Sequence, residues 1–345
     1  MVDPLTTGVG LLAFFAVFGL LIGILFGFFG MGGSFLLTPA LLIMGYPATT
    51  AVGSGMAFVF GTAVIATLKH HDLGQVDYKL GVLLVVGTVI GIEVGRIGVY
   101  YLEGIGFASG VISVTYFLLL GGIGLVIVRE ASTSDAGASA HGVHDAGGTF
   151  EDFEPPAVAR RFQSLHIPPM VTLRGDVRIS VWVITAIAFA TGVLAGFLGV
   201  GGGFIRMPAM MYAIGVPVPV AVGTDLFEIV ISGATGSFLY AREGGVDLSI
   251  VVPLLFGSAL GARVGSAATV IVDSGDIKIY FGLMLLLGSV AVGVAELGRY
   301  LDSGVLELVG LVLIIGSAVL VSGAVVVNTV GAMRARRGVG GATAE

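Results

Sequence analysis

Three charged residues lie inside runs that are otherwise apolar. Arg206 falls within Gly203-Phe-Ile-Arg-Met-Pro-Ala, and Asp225 and Glu228 fall within the next apolar run. On insertion scales a charge in the bilayer core costs at least about 2.5 kcal/mol, so each of these groups needs a partner or a polar cavity. Asp225 and Glu228 are three residues apart and therefore share one face of a helix.

The chemistry of these residues leaves several alternatives open. Arg206 could bind a substrate anion, the two carboxylates of the next helix, or lipid headgroups. Asp225 and Glu228 could carry a coupling proton or cation, or they could form a structural ion pair with Arg206 or Arg263. No set of His, Cys, Asp and Glu residues predicts a metal site, and the chain contains no cysteine.

Arg206 follows a glycine-rich segment that occurs twice. Residues 23–40 and 192–209 are identical at ten of eighteen positions, and each copy places a glycine-rich break between a long apolar helix and a short apolar segment. Such breaks at matching places in two halves point to a transporter binding site, where helix N-termini favour anions. The alternative is that the glycines only permit close packing. The predicted substrate-binding residues are Gly30, Gly32, Gly33, Ser34, Ser54, Gly199, Gly201, Gly202, Gly203, Arg206 and Thr224.

The similarity continues beyond the breaks at an offset of 170 residues. Ala51-Val-Gly-Ser54 matches Ala221-Val-Gly-Thr224, and Asp77 matches Asp247. Each aspartate precedes an apolar run and is predicted to cap a helix. Glycines spaced by four, at 87, 91, 95 and at 257, 261, 265, predict a smooth helix face for close packing.

The composition predicts a polytopic membrane protein. Hydrophobic residues make up 56% of the chain and charged residues 11%, and the mean hydropathy is +1.05. The predicted fold is an all-α bundle of nine apolar helices, at 8–29, 48–68, 80–100, 107–128, 180–199, 219–240, 248–269, 279–297 and 305–330. Segments 34–44 and 203–214 are too short to span a bilayer straight and are predicted to be re-entrant or halves of broken helices.

The domain organisation follows from the duplication. The predicted parts are a first repeat at 1–128, a flexible hydrophilic linker with at most a short helix at 129–178, a second repeat at 179–300, an extra helix at 301–333 and a basic tail at 334–345. If both short segments cross, the repeats are inverted, which is the favoured arrangement; if both are re-entrant, the repeats are parallel. Arg334, Arg336 and Arg337 predict a cytoplasmic C-terminus and, with an odd number of crossings, an external N-terminus in the cell membrane. No basic segment precedes the first helix, so the helix is expected to be retained.

On these motifs the sequence resembles the sulfite exporter TauE/SafE family, whose members carry a glycine-rich G-x-G-G-G followed by proline near the first helix of each half. Here the motif is Gly30-Met-Gly-Gly-Ser34 with Pro39, and Gly199-Val-Gly-Gly-Gly203 with Pro208. Ser34 departs from the glycine triplet. The resemblance implies secondary transport of small sulfur-containing anions such as sulfite or organosulfonates.

The predicted function is therefore a secondary transporter, an exporter of a small anion, that works by alternating access at the paired breaks and is not an enzyme. An anion channel is the first alternative, and an intramembrane hydrolase with Ser54 or Ser109 as nucleophile is a weak one because every histidine lies outside the predicted membrane core. Expected partners are the anion, the lipid bilayer and a coupling proton or cation, with no cofactor and no nucleic acid. Whether the chain forms a homo-oligomer is left open.

Overall fold

The computed structural model describes residues 4–29, 35–72, 75–133, 157–164, 167–173, 177–269 and 274–342. Within these ranges the protein is an all-α helical bundle. Its helices are α1 (Pro4–Phe29), α2 (Leu37–Ile43), α3 (Ala48–Asp72), α4 (Tyr78–Gly104), α5 (Ala108–Thr133), α6 (Ala157–Gln163), α7 (Val181–Leu198), α8 (Gly203–Ala209), α9 (Val218–Ala241), α10 (Leu248–Thr269), α11 (Ser274–Tyr300) and α12 (Gly304–Ala342). A π-helical turn, Met210–Ile214, continues α8.

The nine long helices predicted from the sequence are confirmed. In the part of the chain that the structure describes, eight helices are long and apolar enough to cross a membrane, namely α1, α3, α4, α5, α7, α10, α11 and α12. The ninth, α9, has 24 residues and carries Asp225 and Glu228, and it is not among those eight. The protein is therefore a multi-pass membrane protein.

The two segments predicted to be too short for a crossing are short helices. α2 has seven residues, and α8 with its π-helical turn runs from Gly203 to Ile214. α2 packs against α3, and α8 packs against α9. The sequence therefore located both short helices, while the inversion of the two halves stays a prediction.

The described part of the predicted linker has more structure than the sequence indicated. It contains the short helix α6 and the strand β1 (Met170–Thr172), and its last residue begins the strand β2 (Arg178–Ser180), which pairs antiparallel with β1 so that Met170 lies opposite Ser180. The Gln163 side-chain amide donates to the Ile214 carbonyl over 2.9 Å, and Lys79 Nζ donates to the Thr172 carbonyl over 2.7 Å. These bonds attach the linker elements to the end of the π-helical turn and to the start of α4.

The chain divides into two compact units that alternate along the sequence. One unit consists of Met1–Gly30, Ser113–Ser139 and Val252–Glu345, and the other consists of Met31–Ile112 and Ala140–Val251. The second unit holds α2 to α4 and α6 to α9, and therefore all the described residues of the predicted site.

In that second unit, α4 and α7 approach at backbone distance through glycine. A Cβ atom on Gly192 would lie 2.5 Å from the Thr88 carbonyl oxygen, and one on Gly87 would lie 2.6 Å from the Thr185 carbonyl oxygen. Gly91, Gly95 and Gly196 face the other helix in the same way. The predicted packing role of the glycines at 87, 91 and 95 is confirmed, since any side chain there would separate the two helices.

The first unit contains an equivalent contact between α1 and α10. A Cβ atom on Gly23 would lie 2.5 Å from the Ser258 carbonyl oxygen, and Gly257, Gly261 and Gly265 of α10 lie against the α1 backbone. The second predicted glycine face is thus confirmed as a packing surface. α12 packs against α11 and α1 in this unit.

Substitution of Gly192 tests the close backbone contact between α7 and α4. We expect Gly192→Ala to destabilise the protein by about 1–3 kcal/mol, because the new methyl group overlaps the Thr88 backbone, which cannot move as a side chain can. The matched control is Gly98→Ala, where the nearest atom to a new Cβ is a Phe197 ring carbon at 3.8 Å. Thermal unfolding in detergent should show a lower midpoint for the first variant only; equal midpoints would contradict this account of the packing.

Candidate functional site

The glycine-rich break after α7 is a backbone conformation that other residues rarely adopt. α7 ends at Leu198, and Gly199, Gly201 and Gly202 have φ values of +73°, +66° and +83°. These left-handed angles are accessible to glycine without a steric penalty. All residues from Gly199 to Gly203 are buried. The break therefore turns the chain sharply inside the protein and starts α8 there.

The side chain of Arg206 folds back over this break. Its Nη2 atom donates a hydrogen bond to the Gly201 carbonyl oxygen over 3.1 Å. A Cβ atom on Gly202 would lie 2.5 Å from the same Nη2 atom, so any larger residue would displace the guanidinium. Gly202 thus serves both the backbone turn and the placement of the charge.

Arg206 also binds both carboxylates of α9. Its Nη1 atom lies 3.2 Å from Asp225 Oδ1 and is in direct contact with Glu228 Oε2. The exposed fractions of Arg206 and Glu228 are 0%, and that of Asp225 is 3%. The prediction that Asp225 and Glu228 share one helix face is confirmed, because both reach a single guanidinium.

This cluster contains more negative than positive charge. With all three groups ionised, one cation faces two carboxylates and the net charge is −1. Glu228 Oε2 also accepts a hydrogen bond from Ser232 Oγ at 3.1 Å, whereas Glu228 Oε1 and Arg206 Nε are buried without a hydrogen-bond partner among the described residues. An unpaired charge in a buried site is costly, so the arrangement favours uptake of one proton or one cation.

These contacts decide between the alternatives for Arg206. A fully buried guanidinium does not reach lipid headgroups, so that alternative is wrong. The partner of the carboxylates is Arg206, whereas Arg263 is exposed. The ion pair holds the short helix α8 to α9, which is the next element of the chain.

Ser54 and Thr224 make equivalent hydrogen bonds, each to a distant helix start. Thr224 Oγ1 accepts from the Asp77 backbone N–H over 2.9 Å, and Ser54 Oγ accepts from the Asp247 backbone N–H over 3.1 Å. The aspartates themselves are N-caps, as predicted, since Asp77 Oδ1 accepts from the backbone N–H of Lys79 at 3.0 Å and Asp247 Oδ1 from that of Ser249 at 2.8 Å. Because both hydroxyl oxygens act as acceptors in these bonds, each hydroxyl can still donate its own proton. Donation to a substrate stays a prediction.

Thr38 on α2 is a candidate that sequence reasoning missed. It is fully buried, and its Oγ1 atom has no hydrogen-bond partner in the described part of the chain. A Cβ atom on Gly55 would lie 2.5 Å from the Gly199 carbonyl oxygen and 2.8 Å from Thr38 Oγ1, so α2 approaches the second break across α3. The signal in the sequence was a hydroxyl just before Pro39 in an uncharged helix, which is too common a pattern to single out.

The first break, with Gly30, Gly32, Gly33 and Ser34, lies outside the described residues, so its meeting with the second break stays a prediction. No metal site is indicated in the described ranges, where no three His, Asp or Glu side chains are grouped suitably.

A helical membrane bundle with a broken helix and a buried charge cluster is typical of membrane transporters. The family model of the sulfite exporter TauE/SafE matches residues 15–292, and the chain belongs to this family. The earlier resemblance is thereby confirmed, and the protein is a membrane transporter of the TauE/SafE type.

Relatives from bacteria and archaea are similar over most of their length. The chain is 26% identical over 279 residues to the probable membrane transporter protein YunE of Bacillus subtilis, covering 79% of this chain and 93% of that protein. It is 26% identical to a probable membrane transporter protein of Xylella fastidiosa, covering 72% and 81%, and 21% identical to one of Methanocaldococcus jannaschii, covering 74% and 86%. No solved structure matches the chain. These names all describe membrane transporters.

Removal of the Arg206 charge should destabilise the protein. Arg206→Met keeps much of the side-chain volume but leaves two carboxylates buried without a cation, at an expected cost of about 3–5 kcal/mol. Adding Asp225→Asn and Glu228→Gln to that variant should restore much of the loss, because the remaining groups are neutral. The readout is the thermal midpoint in detergent, with Arg242→Ala as control because that side chain is 60% exposed. If Arg206→Met were as stable as the control, the charge cluster would not contribute to the stability of the protein.

Proposed function

We propose that the protein is a secondary transporter that moves a small anion, such as sulfite or an organosulfonate, by alternating access at the glycine-rich breaks. The observation that carries the proposal is a buried guanidinium placed by a glycine break and faced by two carboxylates. The substrate class and the direction of export in this proposal come from the family, because the family model is described as a sulfite exporter.

The proposed mechanism assigns a role to each part of the cluster. Arg206 attracts the anion, and the hydroxyls of Ser34, Ser54, Thr224 and Thr38 donate hydrogen bonds. Backbone N–H groups at the two breaks, including those of Gly30, Gly32 and Gly33 and of Gly201 to Gly203, complete the site, whereas the Gly199 N–H already donates to the Ala195 carbonyl oxygen over 2.8 Å. Asp225 or Glu228 takes the coupling proton, and the two halves rock to open the site to either side in turn.

Two features favour a carrier over the alternatives. An open channel moves its ion downhill and needs no coupling group, whereas this cluster contains one carboxylate in excess of its cation. A hydrolase would need a base beside its serine, and Ser54 is instead hydrogen-bonded to the Asp247 backbone N–H. We therefore propose a coupled carrier in the cell membrane.

Transport should be tested with purified protein in proteoliposomes. We expect saturable flux of sulfite or an organosulfonate that responds to an imposed pH gradient and is lost, by at least about tenfold, in Arg206→Ala, since a loss of 1.4 kcal/mol of binding is already tenfold. Unlabelled substrate on the other side should also drive transient uphill accumulation of labelled substrate, which a carrier supports and a channel does not.

The control for this test is Arg242→Ala, which removes an exposed arginine. Arg206→Ala must first be shown to be monodisperse after purification, so that lost flux is not lost folding. Flux that is unsaturable and indifferent to substrate on the other side would replace the carrier with a channel. A folded wild type that moves no sulfur anion would remove the substrate assignment.

We also propose that the C-terminus is cytoplasmic and the N-terminus external. Arg334, Arg336 and Arg337 support this orientation through the positive-inside rule. A green fluorescent protein fused after residue 345 should fluoresce in cells, and alkaline phosphatase fused at the same place should be inactive. The opposite pair of results would reverse the orientation.

A further inference from the structure

Both terminal nitrogens of the Arg206 guanidinium are bound by protein groups, whereas Nε has no hydrogen-bond partner among the described residues. Nη1 binds Asp225 and Glu228, and Nη2 binds the Gly201 carbonyl oxygen. A substrate anion that approaches Arg206 therefore competes with two carboxylates for one cation. With both carboxylates ionised, the cluster already carries net negative charge and repels a further anion.

We propose that Glu228 and the substrate anion exchange places on Arg206, so that Glu228 takes a proton when the anion binds and releases it when the anion leaves. The inference rests on the proposed function and gives the sign of its coupling. Because proton and anion occupy the site together, they cross in the same direction, and the protein is a proton–anion symporter.

Glu228 is better suited than Asp225 to hold this proton. Its Oε1 atom is buried and has no hydrogen-bond partner among the described residues, so a proton can sit there without displacing an existing bond. Its other oxygen, Oε2, contacts Arg206 and accepts from Ser232 Oγ at 3.1 Å. Protonation removes the attraction between Oε2 and the guanidinium and leaves Asp225 as the single counter-charge, so one anion then changes the cluster from neutral to singly negative.

The elements packed on α9 place few other charges near this pair. α3 has no charged residue between Ala48 and Thr67, α8 has only Arg206, and the π-helical turn has only Tyr212 as an ionisable residue, which is exposed. Within the described residues, the polar contacts of the Glu228 carboxylate are Arg206 and Ser232.

The remaining ionisable neighbours belong to α4 and to α9 itself, and Arg96, Lys79 and Tyr240 among them have partners elsewhere. Arg96 of α4 binds Glu93 at 2.6 Å and Glu243 at 2.5 Å, and Lys79 donates to the Thr172 carbonyl oxygen. Tyr240 of α9 donates to the Gly196 carbonyl oxygen over 2.7 Å. α4 also carries Tyr78, Tyr100, Tyr101 and Glu103. The exchange of partners on Arg206 is therefore confined to Asp225, Glu228 and the anion.

The proposal is tested first by binding. The probe is methanesulfonate, whose sulfonate group stays ionised, so any linked proton belongs to the protein. Isothermal titration calorimetry at two pH values one unit apart should show affinity about tenfold weaker at the higher pH, because one proton is bound with each anion. In Glu228→Gln, a neutral amide replaces the competing carboxylate, so methanesulfonate should bind at least as tightly as at low pH and without pH dependence.

The second arm is the sign of the gradient effect in proteoliposomes. Acid outside should accelerate uptake of methanesulfonate by the wild type, and alkaline outside should slow it. Glu228→Gln should keep exchange of labelled for unlabelled methanesulfonate but lose the response of net uptake to the gradient. Asp302→Asn is the control, since Asp302 is an exposed carboxylate at φ +52°, a conformation that Asn tolerates, and it should retain both responses.

The outcomes separate this inference from the proposed function. Gradient-sensitive flux of the opposite sign, or wild-type binding that does not weaken as the pH rises, would overturn symport while leaving an anion carrier. Absence of both binding and flux in a folded wild type would overturn the substrate assignment and the inference with it. If Glu228→Gln does not fold, the wild-type pH slope and gradient sign decide alone.

Discussion

The structure of the second unit depends on one interaction, the contact between the buried Arg206 guanidinium and the two carboxylates of α9. α8 has only seven residues and is too short to be stable alone. The ion pair fixes it to α9, and the hydrogen bond from Arg206 to the Gly201 carbonyl oxygen fixes the break that precedes it. A change in the charge of either carboxylate therefore acts directly on the short helix that follows this break, as expected of a coupling group.

Close backbone contacts provide the rigid surroundings for this interaction. In the second unit, α4 and α7 meet through glycine, and the break at Gly199 itself lies against α3, where a Cβ atom would be 2.6 Å from the Val52 carbonyl oxygen. Thr224 of α9 is tied to the start of α4 through the Asp77 backbone N–H, and Ser54 of α3 is tied in the same way to the start of α10. Packing of this kind has few intermediate positions, because backbone atoms in contact cannot compress. Motion of α8 or α9 is thus expected to be transmitted to the helices tied to them and not absorbed locally.

The sequence predicted what depends on composition and local pattern. The nine long helices, the two short segments, the N-cap aspartates and the glycine faces follow from hydropathy, spacing and capping chemistry, and all are found. The sequence also placed Arg206, Asp225 and Glu228 together as alternatives, but it could not choose Arg206 over Arg263 as partner, since that depends on which helices pack. Thr38 was missed for the same reason, and the β1–β2 pair was missed because its strands are short. Thr38 becomes notable through its burial beside Gly55 and Gly199, and three-residue strands carry too little periodicity to be recognised.

The charge of the bound complex connects the cluster to the direction of transport. A symporter that takes one proton with a monovalent anion moves no net charge, so only the pH gradient and the anion gradient drive it, and a pH gradient that is acid outside favours import. One proton with a divalent anion moves one negative charge, and an inside-negative membrane potential then favours export by about 2.3 kcal/mol per 100 mV. The membrane potential would thus favour export of a dianion by this cluster, whereas the pH gradient and the anion gradient together set the direction for a sulfonate. A symport mechanism is therefore compatible with export, which the name of the family specifies. The valence of the anion decides whether the membrane potential contributes to the direction of transport.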